Sequence, residues 1–295
     1  MAVRSRKTLP VENIETTLRG IGTRPMKSYG QNFLVNGQIA DGIVECIPEK
    51  DLEHIIEVGP GLGILTERLL KRGAKVIAVE KDRLLCDYLK KKFHSGPKGY
   101  LEVINDDALH ILDSMGERDH FIVSNLPFNI SSSFTGRLLD STRFIELKRN
   151  PFKGAVIMYQ KEFAGRLISP CGSRNYGKLS VMFRTKMDFK HLFDVKKNMF
   201  HPQPRVDASV ISYRPKEEFT KIPEDPEMFR KLVHVVFLNR RKKLKNALNP
   251  RSIGLDLDMD DIEWILEDMD VADRRPEQLD ENLFMELSNK LSRLA

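Results

Sequence analysis

The feature that most restricts how this chain can fold lies at residues 55–73. Ile55-Ile56-Glu57-Val58 is a short apolar run, Gly59-Pro60-Gly61-Leu62-Gly63 is a glycine loop, and a helical pattern opens at Ile64. Leu65, Leu69 and Leu70 mark the apolar face of that helix, and Gly73 is placed to end it. Strand, glycine turn and helix in this order read as the first unit of a parallel sheet, because glycines let the backbone turn tightly at a strand's carboxyl end. The rhythm continues: residues 75–80 predict a strand, 83–93 a helix, and 101–104, 121–123 and 155–158 three more strands. Strands alternating with helices at this spacing give a parallel sheet covered on both faces.

Beyond that region the rhythm changes. Residues 189–195 and 207–213 are strand-like runs separated by a turn segment with Pro202 and Pro204, which predicts an antiparallel hairpin on one edge of the sheet. A linker with Pro215, Pro223 and Pro226 follows. Phe229, Leu232, Val233, Val236 and Phe237 then fall at helical spacing, with Asp225 as the expected cap and Pro226 first in the helix. Further helices are expected around 262–269 and 283–291. The resulting organisation is a basic N-terminal arm over 1–25, partly disordered and broken by Pro10, Gly20, Gly22 and Pro25; a sheet domain over 26–215; and a small all-α domain over 216–295.

With 295 residues, 41% of them hydrophobic, the chain can bury a full core in two domains. Its net charge of +6 is mild, so placement matters more than total. Residues 1–30 carry six basic residues against Glu12 and Glu15, and Arg240-Arg241-Lys242-Lys243-Leu244-Lys245 packs five cations into six positions. Residues 255–286 hold thirteen acids and two bases. A basic face opposed to an acidic segment suits a polyanion binder, although a run such as 240–245 also suits a solvated helix end. Cys46, Cys86 and Cys171 are far apart with no CxxC and no histidine cluster, so neither a disulfide framework nor a metal site is expected. No apolar run approaches the length of a membrane span, and the expectation is a cytoplasmic protein, monomeric because no apolar stripe is left over.

The glycine spacing bears on the ligand. A dinucleotide fingerprint needs its third glycine at position 64, which is Ile64. S-adenosylmethionine has no pyrophosphate to cradle and needs only close backbone approach at its amino-acid end. Glu80, closing the second strand, is placed to accept from both ribose hydroxyls. Asp107 follows the third strand, with Ala108 beside it, and could accept from the adenine amine. A sulfonium cation would favour Glu57 and Asp107 nearby. After the fourth strand comes Asn125-Leu126-Pro127-Phe128. The amide offers a carbonyl acceptor, the proline sets the turn, and the phenylalanine offers a stacking face, a combination suited to gripping a flat base by its exocyclic amine. Alone, the tetrapeptide fits a plugged strand-exit turn equally well; the ordered set of loop, Glu80, Asp107 and tetrapeptide favours the grip. Gln31 and Asn32 read by themselves as caps of a helix beginning near Asn36, and Phe200 as a core aromatic beside a surface His201.

Five separated motifs in this order resemble the small-subunit ribosomal RNA adenine N6,N6-dimethyltransferase family (the KsgA type), over almost the whole chain. They are Tyr29-Gly30-Gln31-Asn32-Phe33-Leu34, Glu57-Val58-Gly59-Pro60-Gly61-Leu62-Gly63, Asn125-Leu126-Pro127-Phe128-Asn129-Ile130-Ser131, Phe200-His201-Pro202-Gln203-Pro204-Arg205-Val206, and the pair Arg240-Arg241-Lys242 and Arg274-Arg275-Pro276-Glu277-Gln278-Leu279. The family commonly has Tyr where this chain has Phe128, so the ring is kept and a hydroxyl lost. The resemblance implies a class I S-adenosylmethionine-dependent methyltransferase, Rossmann-like, with a mostly parallel sheet and a helical C-terminal domain that binds RNA.

It further implies that Gln31, Asn32, Leu34, Gly59, Gly61, Glu80, Lys81, Asp107, Ala108 and Asn125 hold the cofactor. Asn125, Leu126, Pro127 and Phe128 would be the catalytic element, Phe128 and Phe200 would sandwich a flipped adenine, and Arg240, Arg241, Lys242, Lys243 and Lys245 would contact RNA. The expected reaction is dimethylation of N6 of two adjacent adenosines near the 3′ end of small-subunit ribosomal RNA, on the assembling small subunit. The competing readings are an assembly checkpoint factor with secondary methylation, a large-subunit enzyme of the macrolide-resistance type, and a relative acting as a transcription factor. An NAD-dependent dehydrogenase is disfavoured by Ile64.

Overall fold

The computed structural model of the chain describes residues 11–94, 99–114, 120–139, 152–216 and 223–294. The backbone divides into two compact units, Met1–Ala164 with Phe189–Pro215 and Gly165–Asp188 with Lys216–Ala295.

The first unit is built on a seven-stranded sheet. In chain order the strands of this unit are β1 (Phe33–Leu34), β2 (Ile55–Val58), β3 (Lys75–Glu80), β4 (Tyr100–Asn105), β5 (Phe121–Asn125), β6 (Gly154–Gln160), β7 (Met187–Val195), β8 (Phe200–His201) and β9 (Ala208–Pro215). The large sheet runs β4-β3-β2-β5-β6-β9-β7, and β1 pairs with β8 in a separate ribbon. Strands β2 to β6 are parallel, with Glu57 of β2 between Ala78 of β3 and Val123 of β5. β9 returns antiparallel along β6, Val210 opposite Met158, and β7 forms the edge. Central strands buried on both faces read as continuous apolar runs, and Ile55, Val76, Ala78, Phe121, Val123, Val156 and Met158 meet in one core cluster. Because β2 has β3 on one side and β5 on the other, the order in which strands are added reverses there, and a crevice opens at the carboxyl ends of these strands.

The helices of this unit begin with α1 (Val11–Gly20), α2 (Gly37–Glu45), α3 (Ile64–Lys71), α4 (Arg83–Lys92), α5 (Ala108–Ser114) and α6 (Ser131–Leu138). Two expectations are corrected. The N-terminal arm is helical from Val11 because Ile14 and Leu18, one turn apart, bury against Phe33, Val35 and Leu85; residues 1–10 lie outside the described residues. The cap of α2 is Asn36 itself, whose Oδ1 accepts from the Ile39 N–H at 3.1 Å, not Gln31 or Asn32.

In the second unit, helices Pro226–Leu238, Met259–Asp268 and Glu281–Leu294 occupy the expected stretches. Asp225 caps the first of them, accepting from Glu227 N–H and Met228 N–H at 2.9 Å with Pro226 in the first turn. The segment Gly165–Asp188, expected within the sheet domain, clusters with this unit. Its helix Lys178–Lys186 packs on Pro226–Leu238 and Glu281–Leu294, and the Phe237 ring lies 6.1 Å from Tyr176 and 5.7 Å from Phe284. Among the described residues no helix is long and apolar enough to cross a membrane.

Candidate active site

The glycine loop is shaped by its neighbours. Gly59 has φ of 65° and its N–H donates to the Val79 carbonyl at 3.0 Å; a Cβ there would lie 3.2 Å from Pro127 Cδ. A side chain at this position would therefore be strained twice over, by conformation and by contact. Gly61 has φ of 57° and donates its N–H to Glu80 Oε2 at 3.2 Å, while the Asp82 N–H donates to Oε1 at 3.0 Å. Glu80 is thus held at the end of β3 with each oxygen accepting one backbone hydrogen and keeping lone pairs for a ligand. Burial pushes its pKa up.

The strand ends β2 and β5 are locked together by the Ser124 hydroxyl, which donates to the Val58 carbonyl at 2.7 Å. This brings the tetrapeptide beside the glycine loop. Asn125 Nδ2 donates to the Asn32 carbonyl at 2.9 Å, so the amide is oriented and Oδ1 is left as an acceptor. The Leu126 N–H is used by the Met158 carbonyl at 3.3 Å. Asn32 in turn donates through Nδ2 to the Gly30 carbonyl at 3.1 Å, and Gln31 Oε1 accepts from the Met26 N–H at 2.9 Å.

Every residue expected from the sequence to hold the cofactor or form the catalytic element, from Gln31 to Phe128, lines this one cavity of the first unit. Leu34 is buried in the core edge of its wall and Ala108 opens α5 there. Asp107 is engaged twice: Oδ2 by Lys81 Nζ at 2.9 Å and Oδ1 by the Leu109 N–H at 2.9 Å. Burial works against its charge, but the Lys81 ammonium and the Leu109 N–H hold it below the usual carboxylate range. Lys81 also sits 5.7 Å from the Tyr29 ring centroid.

The two rings expected to sandwich a base are not set as parallel plates. Phe128 is half-buried and Phe200 only 3% exposed; their centroids are 6.4 Å apart at 63°, an edge contact. Phe200 belongs to the core cluster and does not line the cavity, because β8 pairing with β1 turns its ring inward. The basic run lies in the second unit. Arg240 is held by Glu277 at 2.5 Å and the Ser173 carbonyl at 3.3 Å, and Lys243 and Lys245 share Asp273 at 3.1 and 2.9 Å. Arg241 and Lys242 are exposed, with no ion pair among the described residues.

Sequence reasoning missed the contribution of α1, whose Asn13, Ile14 and Thr17 line the cavity. The spacing of Ile14 and Leu18 was the available signal. Gln31 Nε2, a buried donor in the wall, has no hydrogen-bond partner among the described residues, and the buried Glu57 carboxyl has none of good geometry, with Thr66 beside it; burial pushes its pKa up to about 7. A zwitterionic amino-acid end fits a wall that carries an unused donor and an unused carboxyl, and Glu80 fits a ribose.

The Ribosomal RNA adenine dimethylase family matches residues 23–286. The chain is 37% identical to the Ribosomal RNA small subunit methyltransferase A of Geobacter metallireducens, over 81% of this chain and 85% of the relative. It is 34% identical to the protein of that name from Pseudomonas aeruginosa, over 92% and 96%. Among solved structures it resembles a dimethyladenosine transferase from Plasmodium falciparum, with a TM-score of 0.70 and 26% identity over 86% of this chain and 95% of that one. It shares the fold of the 23S rRNA methyltransferase ErmE, with a TM-score of 0.63 and 22% identity over 88% of this chain and all of that one. The chain belongs to the ribosomal RNA adenine dimethylase family.

Proposed function

We propose that this protein dimethylates N6 of two adjacent adenosines near the 3′ end of small-subunit ribosomal RNA, acting as a monomer in the cytoplasm on the assembling small subunit. The observation that carries the reading is the oriented amide of Asn125, with Nδ2 spent on the Asn32 carbonyl and Oδ1 left to accept, in the cavity that Glu80 and the glycine loop share. S-adenosylmethionine supplies an electrophilic methyl group carried on a sulfonium.

Glu80 would hold the ribose hydroxyls, Asp107 and Ala108 the adenine, and Gly59, Gly61, Gln31, Asn32 and Leu34 the amino-acid end, with Lys81 keeping Asp107 ionised. The exocyclic amine of adenine is a poor nucleophile because its lone pair is delocalised into the ring. Accepting its two hydrogens at Asn125 Oδ1 and the Leu126 carbonyl draws the nitrogen towards a tetrahedral shape and aims the lone pair. The proton on N6 becomes acidic once the nitrogen is alkylated, so an amide and a carbonyl suffice to hold it until water takes it. That accords with the lack of a histidine or lysine in the tetrapeptide.

The base must leave its stack to reach the amide, and stacking on Phe128 offsets part of that penalty. For the adenine to lie between two rings, Phe128 is the one to turn, since Phe200 is packed in the core. Within the run 240–245, Arg241 and Lys242 are the cations left for phosphate, while Arg240 serves its own fold through Glu277 and Ser173.

Labelled S-adenosylmethionine incubated with purified unmodified small and large subunits tests the proposal. Label should enter small-subunit RNA and map to adjacent adenosines near its 3′ end. Label in large-subunit RNA alone would instead support the macrolide-resistance type of activity. No label in either would leave a binding role in subunit assembly.

A further inference from the structure

Asn129 stands one residue beyond the tetrapeptide and is exposed, yet it makes a long-range link. Its Nδ2 donates to the Ser28 carbonyl at 2.9 Å, across 101 residues of chain. Its Oδ1 occupies the place a side chain on Gly30 would need, since a Cβ there would lie 2.4 Å from it. Gly30 has φ of 63° and donates its N–H to the Lys27 carbonyl at 3.0 Å, closing the turn Lys27–Tyr29. Four residues before Asn129, Asn125 holds the other flank of the same strip through the Asn32 carbonyl. The strip 28–32 is a wall of the cavity, and its Tyr29 ring receives Lys81, the partner of Asp107.

Water could satisfy both Asn129 and the Ser28 carbonyl, so the fold does not need this bond. Its effect is positional: it ties the loop that carries Phe128 to the wall beside Lys81 and Asp107. We propose that Asn129 is a positioning residue that couples the cofactor site to the target-base loop. This rests on the assignment of the cavity to S-adenosylmethionine and of Phe128 to the target base. A filled cofactor site steadies the strip 28–32, Asn129 passes that order to the Phe128 loop, and each ligand therefore tightens binding of the other.

The test compares Asn129→Ala and Asn129→Asp with wild type. Aspartate keeps the shape, but its oxygen faces the Ser28 carbonyl and two acceptors cannot bond. Hydrogen exchange of the ligand-free proteins should show the amides of 26–32 exchanging about tenfold faster in both variants, on the scale of one lost hydrogen bond. Calorimetry should give a Kd for S-adenosylhomocysteine weakened by about five- to tenfold, and the product should no longer tighten binding of small-subunit ribosomal RNA. Gly30→Ala should weaken S-adenosylhomocysteine less in the Asn129→Ala background than in wild type, because the atom it strikes is gone. Wild-type exchange and affinity in Asn129→Asp would overturn the proposal, as would equal effects of Gly30→Ala in both backgrounds. Failure of the wild-type enzyme to methylate adenosine would remove the proposed function and leave the exchange result standing, so the two failures are distinct.

Discussion

Replacing Glu57 with glutamine should flatten the pH dependence of stability in the ligand-free protein. Glu57 is 1% exposed, and burial raises its pKa from 4.5 to about 7 against the opposing pull of Thr66, whose hydroxyl and N–H face the carboxyl without a hydrogen bond of good geometry. In the unfolded chain the carboxyl returns to its ordinary value. Between those two values the folded protein keeps a proton that the unfolded chain has released. The stabilisation is therefore full below about pH 4.5 and is lost as pH rises through about 7. Raising the carboxyl from 4.5 to about 7 is worth about 3 kcal/mol, at ~1.4 kcal/mol per tenfold change in proton affinity. Glu80, also raised by burial, acts with the same sign, so a shallower slope should survive in the variant. Urea denaturation of wild type and Glu57→Gln between about pH 5 and pH 8 measures the difference directly. Wild type should lose about 2 to 3 kcal/mol more than the variant across that range. Parallel profiles would show that the carboxyl is already ionised in the fold, and the argument from burial would fail.

Asn125→Ala should lower single-turnover methyl transfer at saturating S-adenosylmethionine by about 10²- to 10³-fold, the effect of losing one oriented group that acts in the transition state, beside a weakening of S-adenosylhomocysteine by about five- to tenfold from the lost bond to the Asn32 carbonyl; near-normal turnover would refute the role of the amide. Gly59→Ala should cost about 1 to 3 kcal/mol of stability from its positive φ, and should displace Pro127 and weaken cofactor binding, as read by melting temperature and calorimetry. Neutralising Arg241 and Lys242 together should weaken RNA binding and lower the slope of log affinity against log salt by about 1 to 2, measured by filter binding. Arg240→Ala should instead lower the melting temperature, because it leaves Glu277 and the Ser173 carbonyl without their guanidinium.

Much of the first unit was legible because its signals are local. The run 55–58 carries the apolar character of a buried strand, the glycines at 59, 61 and 63 allow the positive φ that the turn uses, and Asp225-Pro226 spells a helix start. Gly73 likewise adopts φ of 80° where α3 ends. Other features have no local signature. The bond from Asn125 to Asn32 joins positions 93 residues apart, and Asn129 to Ser28 positions 101 apart. Nothing in the run 240–245 distinguishes Arg240, held by Glu277, from the exposed Arg241 beside it.

The sequence by itself determined the order of strands and helices, the glycine loop, the placement of Glu80, Asp107 and Asn125 at strand ends, and the family to which these motifs point. The elements and the loop follow from periodicity and from the backbone freedom of individual residues, which neighbours in the chain express without help; the family follows from the likeness of the motifs. Only the tertiary structure decided that α1 walls the cavity, that Phe200 is a core ring set edge-on to Phe128, that Gly165–Asp188 clusters with the C-terminal helices, and which atom of the Asn125 amide is left to accept. These depend on contacts between segments far apart in the chain, which arise when sheet and helices pack and which no stretch of sequence encodes alone.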